Sequence, residues 1–393
     1  MPVFILILTD SKILVGVAAA IIASGWFLPQ VFFTRWASSH QYKMPLYKLA
    51  AFIRIGAWVS ITITVCFIGK GPGILVSSVF FLFLFIAYGT GGLGGIPFMD
   101  IVAKSITYEK RSVFFAMRFI LGGAVAFIAG FLVKFILSTN SSIKFPNNFC
   151  ILFFISAIFT TLALIAFFFV KEPPSELNHN HETSRDFFLH SIKRLSKDNN
   201  FIRFYIYRIC TGFGLMSIPF IIPFGIEKLQ IEKSDTGIYL AIASVLGILS
   251  NFIWQKVSKK FGNKTVLLNT ALLCTLIFGI LILIFFSPNL TIGNLWGLNI
   301  SQVLFSLSAV LIIVTLFSDR MGYFNYLLDL APDDSRPIYL GFMNSLVTPI
   351  MLLPLLGGFI SGFSFKLLFM LSFLFSIAAF FIGRTLTNYK EVK

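Results

Sequence analysis

Apolar runs of 18 residues or more recur along the whole chain, and they settle the solvent before any other feature is considered. At about 20 apolar residues per crossing, eleven spans are predicted, at 11–33, 47–69, 73–103, 112–137, 147–170, 201–226, 236–257, 264–287, 299–331, 336–362 and 365–387. One water-soluble core could not hide them. Of the 393 residues, 57% are hydrophobic and only 12% are charged, about half the charged share usual in soluble domains. A soluble enzyme, a secreted disulfide scaffold and a disordered chain are therefore excluded. Lipid offers the backbone no hydrogen-bond partner, so continuous runs of this length must be helices; a membrane barrel would show alternating segments of about 10 residues. The predicted fold class is all-α and integral to the membrane.

The net charge of +15 would suggest a polyanionic partner in a soluble protein. Here it reports topology, and no nucleic-acid partner is expected. Of the 31 basic residues, twenty fall in alternate connections, around Arg35 and Lys43, Lys104 and Arg111, 171–203, 256–264, Arg336, and the C-terminus. Seven fall on the opposite side, and four (Arg54, Arg118, Arg208 and Arg320) lie within spans. By the positive-inside rule, the central loop and the C-terminus face the cytoplasm. That loop, Lys171 to Asn200, opens with Glu172, Pro173 and Pro174, which stop the preceding helix, and it divides the spans five and six. The N-terminus lacks the basic region of a removable signal peptide. Cys66, Cys150, Cys210 and Cys274 all lie in apolar runs and read as small core hydrophobes.

The uneven split invites a search for an internal repeat. Sliding the chain by 221 positions places Pro2 on Pro223, Lys12 on Lys233, Gly16 on Gly237, and Ala20-Ile21 on Ala241-Ile242. Asp100 and Asp329 then occupy matching places, each followed by a basic turn (Arg111, Arg336) and a further helix. Two parallel six-helix repeats follow, 1–170 and 201–393, joined by a 171–200 linker. In this register the counterpart of 201–221 is missing, and Met1 to Leu8 correspond to the outer end of a first helix. The expectation is eleven full helices plus a helix-1 stub, through a mis-assigned start or a truncation.

Local sequence carries a resemblance. Trp254-Gln255-Lys256-Val257-Ser258-Lys259-Lys260-Phe261-Gly262-Asn263-Lys264 is similar to the end of a Gly-x-Leu-Ala-Asp-Arg-x-Gly-Arg-Lys loop, departing from it at Gln255 and Lys259. The matching loop of the first half, Arg35 to Pro45, is more degraded. Gly322-Tyr323-Phe324-Asn325-Tyr326-Leu327-Leu328-Asp329-Leu330-Ala331-Pro332 and Arg336-Pro337-Ile338-Tyr339-Leu340-Gly341 add to the match. With the duplicated six-helix plan, these segments resemble the major facilitator superfamily, in a bacterial subgroup. The resemblance implies a transporter, not an enzyme, monomeric in a bacterial inner membrane. In that family the first, fourth, seventh and tenth helices line the pathway.

Charges within spans are the most informative side chains, since each costs a few kcal/mol unless it meets a partner or water. Asp319, Arg208 and Arg320 are expected to form an ionic site in the central cavity, with Tyr323 and Asn325 further along the span of Asp319; the plainer reading is an interhelix clamp. Asn344, in the next span, reads as a substrate contact or a helix-to-helix hydrogen bond. Arg54 and Arg118 lean towards a structural role. Asp100 and Asp329 stand at helix C-termini, and Arg111 and Arg336 at helix N-termini, where the macrodipole disfavours them. They are expected to form ionic latches at the cytoplasmic ends of the two halves, made and broken as the halves rock; the plainer reading is a pair of solvated interfacial charges. Lys259, Lys260, Gly262, Asn263 and Lys264 make up the loop that carries the family resemblance.

The string Gly89-Thr90-Gly91-Gly92-Leu93-Gly94-Gly95 contains Gly-x-Gly-x-x-Gly, but it lies inside one apolar span instead of opening a helix after a strand. Close helix packing or a bend before Pro97 is the better reading, with Tyr88 and Thr90 as polar lining of a pathway. His179 and His181 have no third ligand at a metal-binding spacing, so no metal is expected. Residues 187–195 read as a short amphipathic helix on the membrane surface. Gln302 fits a helix-to-helix hydrogen bond. No nucleophile stands at a diagnostic distance from a base, no phosphate loop is present, and no cofactor is expected. The function read from the sequence is secondary transport of a small solute by alternating access, coupled to H⁺ or Na⁺. The alternative is a non-transporting membrane component.

Overall fold

The computed structural model describes residues 1–38, 41–67, 73–106, 108–138, 141–174, 197–286, 300–331 and 336–389. Every regular element among them is helical. The first half contributes α1 (Pro2–Thr9), α2 (Lys12–Ser38), α3 (Met44–Cys66), α4 (Gly73–Ser105), α5 (Tyr108–Leu137) and α6 (Asn147–Phe167). The second contributes α7 (Asn199–Leu215), α8 (Ile221–Leu229), α9 (Asp235–Phe261), α10 (Asn263–Phe286), α11 (Ile300–Leu330), α12 (Arg336–Val347), α13 (Leu353–Phe363) and α14 (Phe365–Arg384).

Two crossings are interrupted. A 3₁₀ turn at Ile218–Phe220 joins α7 to α8, and another at Thr348–Leu352 joins α12 to α13. Each carries proline in its first turn, where the missing N–H costs no intrahelical bond. Counting each joined pair as one crossing, ten stretches among the described residues are long and apolar enough to span a bilayer. α2 is helical over 27 residues, and its described apolar stretch is Lys12–Gly25. α1 covers the stretch expected as the outer end of a first helix.

The outer surface is apolar in a way only lipid tolerates: Phe169, Phe135 and Phe363 are 82%, 76% and 75% exposed. Inside, Phe4 of α1 packs 5.1 Å from the rings of Phe80, Phe149 and Phe153, which ties α1 to α4 and α6. In the second half Phe224 does the same for Phe285, Phe365 and Phe369. Asp198 caps α7, accepting from the amides of Asn200 (2.9 Å) and Phe201 (3.1 Å), and also takes the Tyr339 hydroxyl at 2.8 Å.

Among the described residues the halves meet mainly through two helix crossings, α2 on α13 and α5 on α9. Glycine makes both possible. A Cβ on Gly16 would run into the Pro354 carbonyl and sit 3.1 Å from the Gly358 Cα; one on Gly237 would run into the Gly130 carbonyl and the Lys134 amide. Gly16 and Gly237 are the pair that the 221-residue shift superposes, so the repeat read in the sequence recurs as two equivalent backbone-to-backbone contacts.

The cysteine expectation needs correction for one pair. Cys66, at the end of α3, and Cys150, in the first turn of α6, are joined in a disulfide, while Cys210 and Cys274 are free and buried. A sequence separation of 84 hid the pairing, because only the α3–α6 packing brings the two thiols together. Maleimide labelling of the purified protein should therefore modify Cys66 and Cys150 only after reduction. Labelling of both without a reductant would refute the bond.

Candidate functional site

The densest polar constellation in the second half lies between α7 and α11. On α7, every third or fourth residue faces inward: Phe201, Phe204, Tyr207, Arg208, Thr211 and Gly214 are buried. On α11, Thr315, Ser318, Asp319, Gly322 and Tyr323 form the facing stripe. The two stripes bring Arg208 Nη1 to 2.5 Å from Asp319 Oδ1, a contact 111 residues apart in sequence, and both residues are less than a tenth exposed. Nη1 also reaches the Thr211 hydroxyl at 3.4 Å.

Around this pair the site is layered. The guanidinium carbon lies 4.8 Å from the centroid of the Tyr323 ring, a cation–π arrangement. The Tyr323 hydroxyl donates to Asn344 Oδ1 at 2.9 Å, which extends the network to α12. Ser318, beside Asp319, accepts from Thr270 of α10 at 2.8 Å. One donor is left over: Arg208 Nε is buried and has no acceptor among the described residues.

Arg208, Asp319, Tyr323 and Asn344 thus lie together, but Arg320 does not join them. It is exposed, because it stands about 100° around the helix from Asp319 and the Asp319 face is the one turned inward. Asn325 is half-buried on a different face from Asp319. Tyr88 and Thr90 lie in the other half. The Thr90 hydroxyl bonds back to the Ile86 carbonyl at 2.6 Å, within its own helix, and Tyr88 packs against Gly25 and, at 6.5 Å between rings, Trp58.

Among the described residues, the two acids of the expected latches meet donors close by. Asp100 pairs with Lys104 one turn along α4, and Lys104 also reaches Glu172 at 3.2 Å. Glu172 accepts from the Lys43 and Met44 amides, both at 2.7 Å, and so caps α3 from the far end of the half. Asp329 accepts from Asn263 Nδ2 at 2.7 Å, and Asn263 Oδ1 takes the Ser258 hydroxyl at 2.5 Å. Lys104 thus forms an ion pair with one acid, and the α9–α10 turn donates to the other. The side chains of Arg111 and Arg336 lie outside the described residues, as do His179, His181 and the 187–195 segment.

In that turn Gly262 ends α9 with a φ of 87°, and Lys264 Nζ donates to the Arg384 carbonyl at 2.8 Å. Lys260 lies 5.1 Å from the Phe261 ring, and Lys259 precedes it in the last turn of α9. Gln302 Nε2 donates to the Leu229 carbonyl at 3.0 Å, the helix-to-helix bond expected of it. Arg118 is exposed and stacks 4.8 Å from the Phe98 ring. Beyond the C-terminal end of α14, burial raises the Tyr389 pKa above its ordinary value, against the pull of a hydrogen bond from Asn200 (2.7 Å).

Sequence reasoning missed one contact between the halves. Lys12 Nζ lies 2.7 Å from Glu227 Oε2 and 4.2 Å from the Phe365 ring, at the same end as the Gly16–Gly358 crossing. Two opposite charges at neighbouring span ends were the available signal.

The family model for the Major Facilitator Superfamily matches residues 1–351. No curated protein sequence matches the chain. Among solved structures, a bacterial homologue of the iron transporter ferroportin in its inward-facing state superposes with a TM-score of 0.70 at 13% identity, covering 98% of this chain and 92% of the other. Its outward-facing state gives 0.60 at 14% identity, covering 100% and 94%. A D-xylose-proton symporter gives 0.67 at 13%, covering 96% and 89%. A family match over most of the length, on an all-helical fold with spans of bilayer length, has one meaning: the chain belongs to the Major Facilitator Superfamily and is an integral membrane secondary transporter, not an enzyme.

Proposed function

We propose that the protein moves a small solute by alternating access, its halves (1–170 and 201–393) rocking about a midplane site that includes Arg208 and Asp319. The observation that carries this reading is the pairing of a buried ionic site with glycine crossings between the halves at matched positions of the repeat. Buried charge is expensive and persists where it serves a pathway. Glycine crossings allow two bundles to seal tightly and to separate again.

The sealed end bears Lys12, Glu227, Gly16 and Gly358. Two features favour an outer location for it: the basic connections lie at the other end, and the Cys66–Cys150 bond lies on its side, where an oxidising compartment preserves disulfides. The better superposition on the inward-facing relative agrees with that sidedness. In this reading the central loop and C-terminus are cytoplasmic, the protein acts as a monomer, and Asp319 responds to a coupling ion, H⁺ or Na⁺.

The experiment is reconstitution of the full chain in proteoliposomes, with solute flux followed under imposed gradients. Lys12→Cys combined with Glu227→Cys, treated with a bismaleimide, locks the sealed end. The native cysteines do not compete, since two are bonded and two are buried. Flux should fall at least tenfold on crosslinking; unchanged flux would refute alternating access about this closure.

A further inference from the structure

The first half contains an arginine whose situation is the reverse of Arg208. Arg54 sits in α3, eleven residues into a 23-residue helix, on the face that packs against α4. Its guanidinium lies over Gly91: a Cβ there would be 3.2 Å from Nη1 and 3.3 Å from Cζ, so the glycine string of α4 makes the room it occupies. The titratable groups that act on it are two phenols, Tyr88 and Tyr47. No carboxylate among the described residues faces it. Asp100 is taken by Lys104, and Glu172 by Lys104 and the α3 amides.

Two hydrogen-bond donors on this face go unmet. Arg54 Nε is buried with no acceptor among the described residues, and so is the indole Nε1 of Trp58, one turn along the same helix. The Trp58 ring lies 6.5 Å from that of Tyr88, tilted by 55°, and the Arg54 charge also reaches Tyr88. A guanidinium, an indole N–H and a phenol therefore converge on one patch of the α3–α4 surface, in a half whose other described acids are already engaged or remote. Buried donors left without acceptors are rare in native proteins and call for a partner that is not part of the fold. The partner this set would recognise has several acceptor oxygens and a negative charge, since arginine binds oxyanions through parallel N–H bonds and aromatic N–H and O–H groups complete the fork.

We infer that Arg54, Trp58 and Tyr88 form an oxyanion-binding subsite, and that the transported solute carries a carboxylate or phosphate group that docks there. This rests on the transport reading above and deepens it by naming the class of solute. Arg208 does not duplicate the role, because Asp319 already neutralises it. The subsite lies on the first half and the ion pair on the second, so a solute bridging the two would couple their movement.

The test is a thermal-shift titration of the purified full chain with succinate, lactate, inorganic phosphate and uncharged xylitol, followed by flux of the same probes in proteoliposomes. At least one oxyanion should raise the melting temperature saturably, and xylitol should not. Arg54→Gln should weaken that affinity at least tenfold, Arg54→Lys should restore part of it, and Trp58→Phe, which keeps a ring but removes the N–H, should weaken it severalfold. No stabilisation by any of the three oxyanions, or affinity unchanged in Arg54→Gln, overturns the subsite. The two readings fail separately: oxyanion binding without flux sinks transport and keeps the subsite, whereas flux of xylitol indifferent to Arg54 does the opposite.

Discussion

Replacing Asp319 with Asn should lower the stability of the folded bundle by about 3 kcal/mol, the usual cost of leaving one member of a buried ion pair alone, and should abolish gradient-driven flux. The effect is large because Arg208 has no second carboxylate among the described residues: beside Asp319 it meets a hydroxyl at 3.4 Å and the face of a tyrosine ring. An asparagine oxygen can still accept a bond but brings no charge. Arg208→Gln should cost a similar amount by stranding the carboxylate. The double variant Arg208→Gln/Asp319→Asn should recover most of the loss, since no net charge stays buried, yet remain inactive. Reversible unfolding of the four proteins in detergent closes the cycle. If the single losses simply add in the double variant, the two groups do not act as a pair.

The second large effect concerns the seal between the halves. Gly16→Leu places a branched side chain where the Pro354 carbonyl and the Gly358 Cα already touch the helix. Neither neighbour can yield as a flexible side chain would, so the crossing must separate. The repeat predicts the same for Gly237→Leu against Gly130 and Lys134. Either variant should hold the protein open at the Lys12–Glu227 end and cut flux at least tenfold while the bundle stays folded. Accessibility supplies the readout: a cysteine placed at Ala20, one turn in from Gly16 and 4% exposed, should gain maleimide reactivity in Gly16→Leu. Reactivity equal to that in the parent would mean that the crossing is not the seal.

Much of the architecture was written in the sequence because the bilayer enforces it. A chain in lipid must bury its own amides, so apolar length translates into helix with little ambiguity, and scarce charges such as Arg208 and Asp319 have few places to go. The repeat was legible through Gly16 and Gly237 because close backbone approach tolerates no other residue there. The side of a helix was harder to read. Arg320 is as polar as Asp319 and adjacent to it, and only packing against α7 and α10 decides which of them turns inward. Partner choice was harder still. Asp100 pairs with Lys104, one turn away on its own helix, and the opposite charge in the next helix drew attention away from that nearer donor. The Cys66–Cys150 bond and the Lys12–Glu227 contact join segments far apart in the chain, and no local pattern distinguishes such pairs before the helices are assembled.

The Glu172 carboxylate has a mechanical meaning as well. It stands just before the polypeptide leaves the first half, yet it grips the leading amides of α3 and the ammonium at the tail of α4. Any tension passed along the connecting chain as the two bodies tilt is therefore shared among three helices at an anchored exit, so the lever arm starts from a fixed pivot instead of a fraying end of α6.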